Sequence, residues 1–221
     1  MPRMLEYLPV MLSIDHPHPE IEEWVATRFE ALNGRAVKVI RRQDLPAELA
    51  TIQPPYLKAW LWDLVPLETQ RIVFIDFDII PLRALPAIPD VPFAASTDVQ
   101  WYDDRMRSMY PAFAKAHYFN AGFFVARRDT QPCFEQLKSF ALTQGYDTPY
   151  PTTYEQTPFN HLIQSRFSIH WLPHTIHCMA HTDYAELPDA CFVHLAGIRG
   201  ELRWIIMAMV RMALAADLQM D

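Results

Sequence analysis

The chain has 221 residues, 51% hydrophobic and 20% charged, which suits one folded domain and excludes a disordered or collagen-like chain. Nineteen Lys and Arg against 26 Asp and Glu give a formal net charge of -7, a poor match to the basic surface that general nucleic-acid binding needs. Only five glycines occur, none spaced G-x-G and none before Gly-Lys, which removes the dinucleotide fingerprint and the P-loop, so a phosphorylated ligand would be held by a metal or by side-chain cations.

In chain order, the apolar run Tyr7 to Ile14 predicts a buried first strand. A helix follows with Ile21, Trp24, Val25, Phe29 and Leu32 on one face, closed at Asn33-Gly34. Ala36 to Ile40 predicts a strand, and Pro54-Pro55 opens a helical stretch from Tyr56 to Leu64. Arg71 to Ile75, apolar and β-branched, is the strongest strand of the chain and runs straight into Asp76-Phe77-Asp78. Strands follow at Phe93 to Ser96 and Tyr118 to Val125. The long polar and aromatic connection between them, Thr97 to His117, reads as a functional loop or lid. Helices at Gln131 to Thr143 and Tyr154 to Gln164, strands at Phe167 to Leu172 and Cys191 to Leu195, and a last helix from Glu201 to Leu218 complete the order. Alternating strands and helices in the first half imply a parallel sheet covered by helices.

No apolar run approaches the ~20 residues of a membrane span. The three cysteines, Cys133, Cys178 and Cys191, are odd in number and far apart, which fits a reducing compartment; the expectation is a cytoplasmic protein.

The chemistry concentrates at Asp76 and Asp78. In open α/β sheets ligands bind at the carboxyl ends of strands, and strand alternation would send both carboxylates to one side with Phe77 opposite. Two like charges this close call for a cation, and hard oxygen ligands suit Mg²⁺ or Mn²⁺, which in turn would hold a diphosphate. The bland alternative is a pair of solvated loop aspartates. Two enzyme classes place Asp-x-Asp after a hydrophobic strand: phosphatases of haloacid dehalogenase type, with Asp76 as nucleophile, and nucleotide-sugar glycosyltransferases.

The wider context resembles glycosyltransferase family 8, which includes glycogenin and the bacterial lipopolysaccharide galactosyltransferases. Lys58 to Leu67 leads to RIVFIDFDIIPLRAL in the manner of that family. Phe93-Ala-Ala-Ser-Thr-Asp98 resembles its A-A-x-D strand end, Phe119-Asn120-Ala121-Gly122-Phe123-Phe124 its F-N-[SA]-G-x-F strand, Glu155-Gln156-Thr157-Pro158-Phe159-Asn160 its D-Q-x-x-L-N helix start, and His194-Leu-Ala-Gly197 its H-x-x-G. The likeness covers roughly residues 55 to 200.

The resemblance implies one α/β domain of GT-A fold over 1–221, a Rossmann-like mixed sheet flanked by helices. Its nucleotide and metal half would run to about 98, its acceptor half from 99 to 200, and its last helix from 201 to 221. It also implies a metal-dependent, retaining transfer of a hexose from a nucleotide diphosphate sugar, first of all a UDP-sugar. Asp76, Asp78 and His194 would ligate Mn²⁺ or Mg²⁺. Lys58 would approach the nucleotide or its phosphate, and Asp98 and Asn120 would bond sugar hydroxyls. Glu155 and Gln156 would lie by the anomeric carbon, the helix start there favouring an ionised Glu155. The acceptor would be a glycan, a lipid-linked sugar or a protein.

Three departures stand out. Glu155 replaces an aspartate, Gly200 stands where the family has a diphosphate-binding lysine, leaving Arg199 or Arg203 as substitutes beside Gly197, and the first strand offers only Ser13 and Asp15 by position for reading the base. Besides the phosphatase, a non-catalytic nucleotide- or glycan-binding relative is the other alternative. His170, His174, His177, His181 and Cys178 imitate a zinc cluster, but Pro173 breaks the helix it would need. The last helix, apolar on nearly all sides, is a candidate core element and a candidate homodimer surface.

Overall fold

The computed structural model describes residues 6–98, 118–144, 155–198 and 200–217. The order of elements is β1 (Leu8–Ser13), α1 (Pro19–Asn33), β2 (Lys38–Arg41), α2 (Leu61–Leu64), β3 (Arg71–Ile75), β4 (Ile79–Pro81), β5 (Phe93–Thr97), β6 (Phe119–Arg127), α3 (Gln131–Gln144), α4 (Gln156–Gln164), β7 (Ile169–Leu172), β8 (His177–Met179), β9 (Phe192–His194) and α5 (Glu201–Asp217). Gly34, at φ 66°, closes α1 in the left-handed conformation, its N–H donating to the Glu30 carbonyl at 2.7 Å. The stretch expected as one helix from Tyr56 to Leu64 is mostly 3₁₀ helix, Pro54–Trp60, with α2 only its last turn.

Six strands form the central sheet in the order β2-β1-β3-β6-β5-β7. β1 runs parallel to β2 and β3, and β5 to β7, as alternation with helices implies. The parallel pattern read from the first-half alternation stops at β6, which is antiparallel to both β3 and β5, so the sheet is mixed, as the family resemblance implies. The chain leaves β5 and re-enters β6 at the same end of the sheet: the Asp98 N–H donates to the Tyr118 carbonyl at 2.6 Å and Thr97 lies opposite Phe119. Such a return needs no crossover helix, so the partner strand runs backwards.

All five residues of β3 are buried, as a strand covered on both faces requires. Ile72 and Phe74 face a core with Phe93, Phe119, Phe124, Phe134 and Phe159, whose rings meet edge-on and offset. Val73 and Ile75 face the other side, with Phe29, Phe123 and Phe192. There a second, three-stranded sheet, β4-β9-β8, packs beside the first. The strands β4 and β8 were not foreseen, because three residues carry no readable period. In α5, Met207 is buried and Trp204, Ile206 and Val210 pack inward, while Leu202, Ile205, Met209 and Met212 are exposed. No helix among the described residues is long and apolar enough to cross a membrane.

Candidate active site

The central sheet delivers Asp76 at the end of β3, where its N–H donates to the Gly122 carbonyl at 2.8 Å and extends the β3–β6 ladder by one residue. The Ile79 N–H then donates to the Asp76 carbonyl at 3.2 Å, so Asp76-Phe77-Asp78 is a turn and not a continued strand. The two carboxylates therefore converge through that turn and the small sheet, not through strand alternation. Ile79 lies opposite His194 in the β4–β9 register, and the Leu195 N–H donates to the Asp78 carbonyl at 3.1 Å. Phe77 points away, its ring against His16 and Trp204.

Ligand-capable atoms of Asp76, Asp78 and His194 all lie within 4.8 Å of one another. His194 Nε2 is 3.2 Å from Asp78 Oδ1, and Arg203 Nη1 is 2.9 Å from Asp78 Oδ2. Lys58, buried under the turn, puts its Nζ 3.3 Å from Asp76 Oδ2 and 2.8 Å from Glu155 Oε1. Lys58 thus enters the site as expected, but engaged by two carboxylates.

Burial sets the ionisation of these groups against their partners. Desolvation pushes Asp76 up, Lys58 opposes it, and the charge of Asp78 adds to the rise. Burial likewise raises Glu155 against the pull of Lys58. Asp78 goes the other way: despite burial, His194 and Arg203 hold it down to about 2. Burial lowers the Lys58 ammonium, but Asp76 and Glu155 outweigh it and the net shift is upward. Glu155 sits at the N-cap of α4 without a side-chain cap hydrogen bond, and its ion-pair partner is Lys58.

Gly122 makes room for this arrangement. A Cβ there would come 2.3 Å from His194 Cε1 and 2.9 Å from both Asp76 Oδ2 and Asn120 Oδ1. The adjoining polar layer links β6, the residue that follows β5, and α4. Asn120 Nδ2 donates to Asp98 Oδ2 at 2.9 Å, and Asn120 Oδ1 accepts the Gly122 N–H. Gln156 Nε2 donates to the same Asp98 oxygen at 3.1 Å while its Oε1 accepts the Ala121 N–H. Asn160, wholly buried, pairs through both amide atoms with the backbone of Phe119 and fixes the start of β6.

Among the described residues, Asp76, Asp78, Asp98 and Glu155 put four carboxylates here against the cations Lys58 and Arg203. That excess of negative charge, with two carboxylates and an imidazole as donors, fits a divalent metal ion.

Not every expected residue joins the site. Gly197, at φ 81°, lies under the His181 ring, and Arg199 falls outside the described residues, as does 99–117, most of the connection expected to be a functional loop or lid. Arg203 is the cation that reaches Asp78. Ser13 donates to Glu22, and Asp15, at the unusual φ of 56°, pairs with Arg42, so both have internal partners. The histidine run disperses: His174 meets Thr97 and Asp183, and His177 turns to His194. Gly122 and His177 had no assigned role in the sequence reading. The F-N-A-G motif pointed to Gly122, and His177 stood out only as one of the histidines that imitate a zinc cluster. A cavity of about 550 Å³, lined by Tyr7, Leu32, Arg71, Val73, Leu85 and Ile88 among others, lies at the other end of β3 and touches none of these groups.

The sequence model of glycosyl transferase family 8 matches residues 19–183. The chain belongs to glycosyltransferase family 8. It is therefore a glycosyltransferase, and the phosphatase alternative falls away. Solved structures agree on the fold. A glycosyltransferase involved in glycosylating the major capsid of PBCV-1 superposes with a TM-score of 0.63 at 16% identity, covering 91% of this chain and 99% of that one. The galactosyltransferase LgtC, in complex with donor and acceptor sugar analogues, gives 0.59 at 16% identity over 86% and 87%. Mouse xyloside xylosyltransferase 1 gives 0.56 at 12% identity over 87% and 98%. Comparison with curated protein sequences finds no match.

Proposed function

We propose that this family 8 glycosyltransferase is metal-dependent and transfers a hexose, with retention, from a nucleotide diphosphate sugar, first of all a UDP-sugar. The acceptor would be a glycan, a lipid-linked sugar or a protein. The observation that carries the proposal is the convergence of Asp76, Asp78 and His194, with ligand atoms within 4.8 Å of one another. Mn²⁺ or Mg²⁺ held there would supply Lewis-acid charge to the departing diphosphate.

The chain's own residues divide the remaining work. Arg203, now on Asp78, carries the planar donor pair suited to a phosphate and stands in for the lysine missing at Gly200. Asp98 and Asn120 offer carboxylate and amide to sugar hydroxyls, with Gln156 holding Asp98 in place. Glu155, paired with Lys58 against the effect of burial, would in its ionised form stabilise positive charge developing at the anomeric carbon. In this reading residues up to about 98 carry nucleotide and metal with His194 and Arg203 added from beyond them, 99–200 otherwise serve the acceptor, and the exposed apolar stripe of α5 pairs two copies. The compartment is the cytoplasm, which the three separate cysteines favour.

A panel of nucleotide sugars, each with Mn²⁺ and with chelator, tests the proposal. Mn²⁺-dependent release of nucleoside diphosphate from one donor is expected. Release that ignores the metal, or none from any donor, contradicts it.

A further inference from the structure

We propose that His177 is the positioning residue for the metal-binding group, holding the His194 ring and its tautomer so that Nε2 is turned to the cation. This rests on the reading of Asp76, Asp78 and His194 as a cation site.

The geometry is specific. His177 and His194 lie on the same face of the small sheet, His177 opposite Phe192 and His194 two residues beyond. His177 Nε2 is 3.1 Å from His194 Nδ1, and the rings lie 5.2 Å apart at 27°. His177 has no exposed surface and its other flank rests on Phe123, 5.4 Å away, so the ring has no freedom to turn elsewhere. Its Nδ1 finds no hydrogen-bond partner among the described residues, so its hydrogen bonding is directed to His194.

The chemistry follows from proton counting on two neutral imidazoles. If Nε2 of His194 gives its lone pair to a cation, the ring's one proton sits on Nδ1 and must be donated. The acceptor in reach is His177 Nε2, which is free to accept when His177 carries its own proton on Nδ1. Without a cation, the Asp78 contact at 3.2 Å calls for a proton on His194 Nε2, and a neutral His194 ring then presents a bare Nδ1 that accepts from His177 Nε2. One histidine serves both states because the same nitrogen accepts or donates. Metal-bound histidines are usually oriented by a carboxylate, a carbonyl or water. Here a carboxylate would add a further negative charge beside Asp78, whereas a neutral imidazole adds none.

The test compares Mn²⁺ affinity, read by electron paramagnetic resonance of free Mn²⁺, in wild type, His177→Phe and His177→Gln. Phenylalanine keeps a ring against Phe123 but cannot bond His194. The glutamine amide can accept or donate near the Nε2 position. The expected result is affinity lower by about 10- to 100-fold in His177→Phe and close to wild type in His177→Gln. Wild-type affinity in folded His177→Phe, or equal loss in both variants, overturns the inference. Wild-type protein that binds no Mn²⁺ overturns the cation site itself, which separates the two failures. Should His177→Phe not fold, ¹⁵N NMR of the wild-type rings with Zn²⁺ bound decides: His177 protonated at Nδ1 with a bare Nε2 supports the proposal, and a protonated Nε2 refutes it.

Discussion

Replacing Gly122 by alanine places a methyl group 2.3 Å from His194 Cε1, where ordinary contact begins at 3.4 Å. The imidazole must retreat by about 1.1 Å, or Asp76 and Asn120, each 2.9 Å from the new carbon, must move with the β6 backbone. The ring has no free direction, because His177 holds its Nδ1 at 3.1 Å and Asp78 its Nε2 at 3.2 Å. Overpacking of this kind costs about 1–3 kcal/mol, and at roughly 2–4 °C per kcal/mol for a chain of this size the melting temperature should fall by about 2–12 °C. Misplacing a reacting group by about 1 Å costs on the order of 10²-fold in rate, so turnover should fall by that factor in protein that is still folded. Gly34→Ala is the matched control. Gly34 has open space around it but a φ of +66°, so alanine there costs about 1–2 kcal/mol in backbone strain at the end of α1, outside the site. Thermal melts and Mn²⁺-dependent donor hydrolysis of both variants make the comparison. Both should melt early and only Gly122→Ala should lose activity; Gly122→Ala with wild-type turnover would refute the reasoning.

Glu155→Gln should lower turnover far more than donor affinity, and proton NMR of the wild-type product should show the donor's anomeric configuration; an inverted anomer contradicts the mechanism. Lys58→Met leaves the buried Glu155 and the partly buried Asp76 without their counter-charge, which should cost about 3 kcal/mol in urea unfolding at pH 7, the low end for a buried pair. Both carboxyls are already shifted upward, so the folded state of that variant binds protons more readily than the unfolded one, and part of the loss should return on acidification towards their ordinary range; an unchanged urea midpoint at pH 7 contradicts it. Asp78 has the opposite sign. Its folded pKa of about 2 lies below its ordinary 3.8, so the stability it gives is present above 3.8 and lost as pH falls through about 2. In chelator, Asp78→Asn should lack that part of the acid-unfolding curve, and an identical curve would count against the His194 and Arg203 contacts.

The fold was legible wherever local pattern and burial agree. β3 emerges at its expected bounds because all five of its residues are buried and the four after Arg71 are apolar, and α1 ends at the glycine that the chain needs for its left-handed cap. The reversal at β6 was hidden, since direction depends on where the 99–117 connection returns and not on the strand's own residues. β4 and β8 are too short to carry a period, yet their sheet brings His194 to Asp78. The site was legible as motifs, while its internal pairing was not. Lys58 reads as a phosphate ligand in a linear sequence, and only the fold brings Glu155, 97 positions later, against it. Arg203 lies one turn of helix beyond the expected lysine position, so its reach to Asp78 depends on how α5 starts after Gly200. His177 was obscured by the spacing of its neighbouring histidines, which suggested zinc.

Mn²⁺ binding to the intact chain, measured by electron paramagnetic resonance with and without a UDP-sugar, tests the central claim most directly. One Mn²⁺ per chain is expected in wild type, with affinity increased by the donor and lost in Asp78→Ala and His194→Ala variants that remain folded. Equal Mn²⁺ binding by wild type and both variants, or no effect of the donor, would contradict a cation held by Asp76, Asp78 and His194 at the point where the sugar nucleotide binds.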